Sequence, residues 1–276
     1  MKSSIKFIII YLLFSHYVAF SQCYKPETQP FKTGEKLKYT VQYNLNFIWF
    51  NAGEVIFRVD TITNKKGIRF YHFISTGRSL PSYDWIFKVR DKYETITFFN
   101  SLKPIFFIRN TSEGSTKIIN KYHFKYKQKK IYAQIHHFDS IPYNKTLTIK
   151  NCPYDALSSA YLLRSINLTK FGKNKKITLN MVIDGKIFPI TIKYLKKETI
   201  KINDTTLVKS LKFSTPTIKG SIFSGKDDIY VWISDDKNKI PIKIEASILV
   251  GKVIVFLNKY QNLKYKPEAF IYNAKK

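Results

Sequence analysis

The side chains that could carry chemistry in this chain are few and widely spaced. Four histidines lie beyond the N-terminal apolar segment: His72, His123, His136 and His137. Zinc sites place their ligands at short fixed spacings, and neither an H-x-H nor an H-E-x-x-H pattern occurs. His136 and His137 are adjacent, and adjacent residues of a strand point to opposite faces, which suits one shared metal poorly. The sequence therefore predicts no metal site and no cofactor.

An acidic stretch, Ser234 to Lys239, resembles part of a calcium-binding loop because it contains Asp235 and Asp236. It lacks the central glycine and the closing glutamate that such loops require. It also lies between two apolar runs, so the favoured interpretation is a hairpin turn.

The densest mixture of aromatic and charged residues is Tyr83-Asp84-Trp85, followed closely by Arg90-Asp91. One hypothesis is a ligand groove lined by Tyr83 and Trp85, with Arg90 at its mouth and Trp232 as a further wall. The other is structural, because half-buried aromatic rings with a polar tip are common in β proteins and an ion pair beside them is ordinary. Both interpretations stay open.

Catalytic signatures do not occur in the sequence. It contains no G-x-S-x-G motif, no phosphate-binding loop and no pair of carboxylates at a spacing typical of acid–base catalysis. We therefore expect no enzymatic activity. An enzyme remains the alternative, since catalytic groups can assemble from distant strands without a local motif.

The first 21 residues have the form of a secretory signal peptide. Lys2 and Lys6 precede an apolar core from Phe7 to Phe20, and Ala19 and Ser21 are the small residues before a cleavage site. The core is shorter than the roughly 20 residues that span a bilayer. The mature protein is expected to begin at Gln22, without a transmembrane helix, in the periplasm or outer envelope of a Gram-negative bacterium.

Cys23 and Cys152 are the two cysteines of the chain. Both follow the predicted cleavage site, and an isolated pair in an oxidising compartment is expected to form a disulfide. A lipid-modified Cys23 is the alternative, but Gln22 and Phe20 are unlike the residues that precede a lipidated cysteine.

The net charge of +28 is large, with 47 Lys and Arg against 19 Asp and Glu. Such a charge attracts anionic partners, including lipid headgroups and nucleic acid. Arginines are few and the lysines are scattered along the chain, whereas nucleic-acid sites cluster both on one face. We expect no nucleic-acid partner.

Period-two alternation dominates the chain after the signal peptide. Leu37, Tyr39, Val41 and Tyr43 alternate with polar residues, as in a half-buried strand, and similar runs recur to the C-terminus. Pro153 to Arg164 differs, because its apolar residues follow helical spacing. The predicted fold is mainly β: a curved antiparallel sheet or open β-barrel with one central amphipathic helix, in a single domain over residues 22–276.

Large apolar side chains exceed what one flat sheet and one short helix can bury. A curved sheet would gather them on its concave side, either around an apolar pocket for an acyl chain with a lysine-rich mouth or as a plain core. The residues concerned are Tyr43, Phe47, Trp49, Phe50, Phe57, Phe73, Trp85, Phe87, Phe106 and Trp232.

A series of short motifs runs along most of the chain. They occur in the order Phe31–Tyr39, Asn51–Glu54, Tyr83–Trp85 with Arg90–Asp91, Glu113–Gly114, Asp155–Ser158 with Tyr161–Arg164, Val231–Pro241 and Val250–Gly251. This series resembles DUF3108, a family of exported bacterial proteins, in its Bacteroidota form. The resemblance implies a secreted or periplasmic β-rich protein of one domain, a pairing of Cys23 with Cys152, and no known catalytic residues. A looser similarity of architecture connects such proteins to periplasmic lipoprotein carriers, although fold does not fix function.

Together these observations predict a non-enzymatic soluble envelope protein that binds an apolar or lipid-like ligand. A protein-interaction or structural module of the envelope, with an envelope protein as partner, is the main alternative. An outer-membrane barrel fits less well, because the strand lengths are uneven and a helix interrupts the series.

Overall fold

The computed structural model describes residues 23–45, 48–167, 170, 176–216, 228–248 and 251–272. The predicted signal peptide, residues 1–21, and Phe47 lie outside these ranges. Within them the chain forms sixteen strands and two α-helices, with single 3-10 turns at Pro81–Tyr83 and Tyr126–Gln128. The prediction of a mainly β protein is confirmed.

The helices are α1 (Asp84–Phe87) and α2 (Ala156–Ser165). The strands are β1 (Lys36–Leu45), β2 (Ile48–Thr63), β3 (Arg69–Ser79), β4 (Val89–Phe98), β5 (Pro104–Glu113), β6 (Thr116–Lys125), β7 (Lys130–His137), β8 (Tyr143–Thr148), β9 (Pro153–Tyr154), β10 (Lys176–Ile183), β11 (Lys186–Asn203), β12 (Thr206–Pro216), β13 (Asp228–Ser234), β14 (Pro241–Ser247), β15 (Lys252–Gln261) and β16 (Phe270–Tyr272).

All strands belong to one sheet, in the order β8-β7-β6-β5-β4-β3-β2-β1-β15-β14-β13-β12-β11-β10-β9, with β16 paired to β12. Neighbours are antiparallel apart from β9 and β10. Alternation along the strands produces the two faces of the sheet. In β7, for example, Ile131, Ala133 and Ile135 are buried while Lys130, Tyr132 and Gln134 are exposed.

The sheet curves until its two ends touch through side chains, but it does not close. The turn between β10 and β11 reaches strands β5 and β6 from the far end of the sheet. Asp184 accepts hydrogen bonds from Arg109 Nη1 at 3.3 Å and from Asn120 Nδ2 at 2.9 Å. Gly185 N donates to the Tyr122 hydroxyl at 3.2 Å. Because the edge strands β8 and β9 are not paired with each other, the sheet remains open.

Helix α2 begins where the sequence predicted a helix, and its first turn is capped by Asp155. Asp155 Oδ1 accepts hydrogen bonds from the backbone N–H groups of Leu157 and Ser158, both at 2.9 Å. These bonds satisfy N–H groups that have no partner inside the helix. Thr95 Oγ1 donates to Asp155 Oδ2 at 2.7 Å, so the cap also attaches the helix to β4.

The expected amphipathic character of this helix is not confirmed. An amphipathic helix exposes its polar side, yet Ser158, Ser159, Arg164 and Ser165 of α2 are buried together with Tyr161. The reason is that α2 packs its serines and Arg164 against the sheet and leaves Ala156 and Ala160 exposed instead. The structure also contains a second helix, α1, which the sequence did not predict.

Aromatic rings fill the space between α2 and the strands. The ring of Tyr161 stacks on Phe73 of β3 at 3.7 Å, and Phe31 packs edge-on against both at 5.1 and 5.4 Å. All three side chains are buried. The part of the concave face that α2 covers is therefore a packed core.

A buried ion pair joins the start of the sheet to the end of α2. Arg164 Nη1 and Nη2 donate to the Glu35 carboxylate at 2.6 and 3.0 Å, and both residues are at most 3% exposed. Arg164 Nη2 also donates to the backbone oxygen of Asn238 at 3.1 Å, in the turn between β13 and β14. A guanidinium that makes two parallel bonds to a carboxylate is a strong form of ion pair.

The predicted disulfide between Cys23 and Cys152 is confirmed. It attaches the N-terminal segment to the residue before β9. Tyr154 and Leu162 lie in the same hydrophobic cluster as Cys152, so the bond is part of the core around α2.

We predict that replacing both cysteines with serine lowers the free energy of unfolding, because the bond spans 129 residues. Losses of about 2–5 kcal/mol are typical when a native disulfide is removed. Urea denaturation of the oxidised protein and of the Cys23→Ser/Cys152→Ser variant measures the difference. Wild-type protein kept in reductant is the matched control, and identical midpoints for the oxidised and reduced protein would contradict the prediction.

A second prediction concerns the buried ion pair. Glu35→Gln leaves the Arg164 charge buried without its counter-ion, which costs about 3–5 kcal/mol of unfolding free energy. Asp204→Asn, which removes one partner of the exposed pair with Lys201, should leave the free energy of unfolding almost unchanged. Chemical denaturation compares the two variants, and a loss in Glu35→Gln as small as that in the control would disprove the assignment.

Candidate functional site at the open end of the sheet

A hydrogen-bonded cluster fixes the segment between β3 and β4 in place. The Asp84 carboxylate pairs with Arg90, and Arg90 Nη1 also donates to Ser79 Oγ at 3.1 Å. The backbone N–H of Val89 donates to the same hydroxyl at 2.9 Å. The bond from Arg90 keeps the pKa of the Asp84 carboxyl below its ordinary value, so this residue stays ionised. Helix α1 is therefore held between two strand ends.

The fixed segment presents apolar side chains to solvent. Trp85 is 83% exposed, and Ile86 and Phe87 are also more than half exposed. Trp85 Nε1 donates to the backbone oxygen of Ser82 at 2.9 Å, which orients the ring away from the sheet. Phe87 lies over Gly114, where a Cβ atom would approach its ring to 2.8 Å. These side chains are positioned by local contacts and still face outward.

The start of β2 lies beside this segment and is apolar as well. Leu80 N donates to the backbone oxygen of Ala52 at 2.9 Å, and the ring of Phe50 lies 4.9 Å from that of Tyr83. We call the exposed apolar residues at the start of β2 and in α1 the rim patch: Ile48, Trp49, Trp85, Ile86 and Phe87.

A row of charged and polar residues runs below the rim patch across five strands. Directly paired residues of adjacent strands share a face, which places these five side by side. We call them the basic row: Glu54, Arg78, Arg90, Ser112 and Lys117.

The basic row borders a shallow depression of about 630 Å³. Its lining also includes Lys92 and Asp91. Glu54 is neutralised by Lys38 and Arg78. Burial and the nearby Glu113 carboxylate raise the pKa of Asp91 to about 7, so this carboxyl is only partly ionised at neutral pH. Basic groups therefore dominate the charge of the depression.

The concave face behind the rim patch is apolar and only partly covered. Val41 pairs with Val255, Val255 with Ile244 and Ile244 with Val231, and all four side chains are half-buried. We call these four residues the inner row. Val231 also pairs with Phe213, which packs in the same cluster as Leu162 of α2, so the inner row lies on the face that α2 covers further along.

The inner row reaches the rim patch through two aromatic residues. Tyr43 is two residues beyond Val41 on β1, and its ring lies 5.5 Å from that of Phe50. Phe50 in turn contacts Tyr83. We call this apolar stretch of the concave face, from the rim patch to the packed core around α2, the recess.

The four residues of the predicted groove occupy two different places. Tyr83, Trp85 and Arg90 lie in the segment between β3 and β4. Trp232 lies on β13, where it is 5% exposed and between the ammonium groups of Lys212 and Lys243, each at 4.6 Å. Its Nε1 donates to Glu198 Oε1 at 2.6 Å. Since Val231 faces inward, the next residue of the strand, Trp232, faces outward.

The expectation that the large apolar residues gather on the concave side is correct for Phe73, which is fully buried, and wrong for Trp49, Trp85 and Phe87. Trp85 and Phe87 belong to the short helix α1, and Trp49 is the second residue of β2. Strand alternation does not assign helical residues to a face of the sheet, and it stops at Ile48-Trp49-Phe50, so the sequence pattern could not place them.

Three of the histidines, His72, His123 and His136, have ordinary partners, whereas the buried Nε2 of His137 has no hydrogen-bond partner among the residues that the structure describes. His72 Nε2 lies 3.1 Å from Glu94 Oε2, His123 packs on Phe106, and His136 stacks on Phe138 at 3.9 Å. Within the described ranges, no three His, Cys, Asp or Glu residues are grouped to hold a metal ion.

The acidic stretch from Ser234 to Lys239 forms the predicted hairpin turn. Asp236 Oδ1 accepts hydrogen bonds from Ser234 Oγ and from Asn238 N, both at 2.9 Å. This carboxylate oxygen is thus engaged in organising the turn between β13 and β14.

Sequence reasoning missed Ile48, Ile86 and, apart from Arg90, the basic row. A signal for the first existed, because Phe47-Ile48-Trp49-Phe50 is a run of consecutive apolar residues where strand alternation stops. The basic row left no local signal, since its members come from five strands and only the pairing register aligns them.

The profile of the family described as "Protein of unknown function (DUF3108)" matches residues 38–258. The chain therefore belongs to the DUF3108 family, as its motifs indicated. No protein of curated function matches it.

Two solved structures are similar over most of the chain. A β-barrel-like protein of domain of unknown function DUF1849 from Brucella abortus shares 10% identity and a TM-score of 0.50, over 85% of this chain and 100% of its own. A putative exported protein with a YmcC-like fold from Bacteroides fragilis shares 7% identity and a TM-score of 0.29, over 85% of this chain and 98% of its own. The first likeness supports the fold. In the described part of the chain, no helix is long and apolar enough to cross a membrane.

The raised pKa of Asp91 gives a pH-dependence prediction. Since this pKa rises from 3.8 to about 7 on folding, the folded state binds more protons than the unfolded state between those values, and its stability falls as pH rises through that window. Asp91→Asn removes this titration and keeps the bond from Ser112 N to Oδ1. The variant should gain stability over wild type at pH 8, on the order of 2 kcal/mol, and less at pH 5.

Thermal or urea unfolding at several pH values tests this difference. Asp139→Asn, at an exposed position, is the control for removing one acid from a basic protein. A gain that is the same at both pH values, or equal to that of the control, would count against a raised pKa at Asp91.

Proposed function

We propose that this protein is a non-enzymatic component of the cell envelope that binds an apolar or lipid-like ligand in the recess along the inner row. The observation that supports this proposal best is that the four aliphatic side chains of the inner row are only half-buried. They lie on the same concave face of the sheet that α2 and its aromatic neighbours cover completely further along. Sites for apolar ligands are concave and lined by apolar side chains with few polar groups.

The size of the inner face favours a chain-like ligand. Successive residues of one face are about 6.6 Å apart along a strand, so Val41 and Tyr43 cover the depth of several methylene groups. Four strands contribute to the inner row, and neighbouring strands are about 4.8 Å apart, so its width exceeds one acyl chain. An acyl chain entering beside Phe50 would replace water on these side chains, and each buried methylene contributes about 0.8 kcal/mol.

Two features support export, which we propose together with periplasmic or outer-envelope localisation. Residues 1–21 have the form of a signal peptide. The disulfide suits an oxidising compartment and engages the Cys23 sulfur, to which a lipid anchor would otherwise be attached. We therefore propose export without a lipid anchor. The intact mass of protein from the native host tests both the cleavage site and the absence of a modification on Cys23.

A fluorescent fatty acid tests the ligand proposal. We expect saturable binding to wild type and on the order of tenfold or more weaker binding to Val255→Lys, because the ligand would then bury an unpaired ammonium group. The matched control is Ile254→Lys, which places the same charge on the opposite face of β15 at a position that is also half-buried.

Circular dichroism confirms that both variants are folded before binding is compared. If the fatty acid does not bind wild type, or if both lysine variants bind it equally, the recess is not its site. The protein-interaction module would then be the better account of this end of the molecule.

A further inference from the structure

The rim patch differs from the scattered apolar residues found on most protein surfaces. Its five residues come from the start of β2 and from α1, and two of them are tryptophans. Contiguous exposed apolar surface marks a site of interaction with a membrane or another molecule. The inner row is not part of this surface, so a role for the rim patch does not depend on ligand binding in the recess.

The patch is held in its exposed position by specific bonds. The pair of Asp84 with Arg90 and the bond from Trp85 Nε1 to Ser82 fix α1, while the backbone bond from Leu80 to Ala52 joins this segment to β2. Fixing exposed rings before binding lowers the entropy that a partner must overcome. The arrangement suits a partner that accepts several apolar side chains at once.

The charges beside the patch indicate the chemistry of that partner. The basic row and Lys92 border the depression, Lys88 directly follows Phe87 and is exposed, and the chain as a whole carries +28. The carboxylates nearby are neutralised in ion pairs or, at Asp91, partly protonated. An apolar surface next to a basic one is complementary to anionic lipid headgroups above acyl chains.

We propose that this end of the protein docks on the surface of an anionic lipid bilayer. The rim patch enters the boundary between headgroups and acyl chains, where tryptophan is favoured, and the basic row contacts lipid phosphates. A membrane surface fits better than a protein partner, because the rim patch exposes two tryptophans at one end of the sheet and basic side chains outnumber carboxylates in the depression beside it.

Tryptophan fluorescence with vesicles tests docking directly. Trp49 and Trp85 are exposed and Trp232 is buried, so a blue shift reports on the rim patch. We expect a shift with vesicles of phosphatidylcholine and phosphatidylglycerol in equal parts, a smaller one with phosphatidylcholine alone, and weakening as salt increases. Brominated acyl chains should quench the emission.

Matched variants locate the contact. Trp85→Ser/Phe87→Ser removes two rim residues and should weaken cosedimentation with the anionic vesicles on the order of tenfold. Ile68→Ser/Tyr272→Ser removes two similarly exposed apolar residues at the opposite end of the strands and should bind like wild type. Val255→Lys should also bind the vesicles, which separates docking from ligand binding in the recess.

Three results would overturn the proposal. The first is no shift of wild-type emission with either vesicle, and the second is equal loss of binding in the rim variant and its control. The third is equal binding to neutral and anionic vesicles, which would exclude the headgroup contact. Because the substituted side chains are exposed, unchanged unfolding midpoints are expected and show that each variant is folded.

Discussion

The ion pair between Glu35 and Arg164 is the interaction on which the rest of the structure depends. Burial removes the charges of Glu35 and Arg164 from water, which costs several kcal/mol for each charge unless the two groups pair with each other and form further hydrogen bonds. Only one placement of α2 satisfies this condition. Arg164 also donates a hydrogen bond to the backbone oxygen of Asn238 in the β13–β14 turn. Three distant parts of the chain therefore meet at one guanidinium group.

A second buried polar contact fixes the other end of the helix. Asp155 is fully buried, and it accepts bonds from the first turn of α2 and from Thr95 of β4. Burial is the main reason why the pKa of this carboxyl is raised to about 6. The two anchors explain why residues far apart in the family motifs belong together, since Glu35, Asp155, Arg164 and Asn238 come from three of those motifs and position the same helix.

Features that are encoded in short segments could be predicted from the sequence. Features that depend on how distant strands pair could not. Alternation identified the strands, and the Pro and Asp before Ala156 identified the helix, because both signals are contained in short segments. Burial of the polar side of α2 was not predictable, since Arg164 meets Glu35 only in the folded sheet. At the site, the structure places Tyr83, Trp85 and Arg90 near one another, as their proximity in sequence requires. Trp232 lies elsewhere, and the sequence could not show this, because a single residue on a strand does not reveal which face it occupies.

The position of α2 gives the two ends of the sheet different properties. Glu35 lies at the start of β1 and the rim patch follows its end, a distance of roughly 30 Å for ten extended residues. The helix, the ion pair and the disulfide fill the first end and fasten it. Because stability is concentrated there, the other end can leave apolar side chains half-buried or exposed without loss of the fold. Function is therefore expected where the packing stops, at the recess and the rim patch.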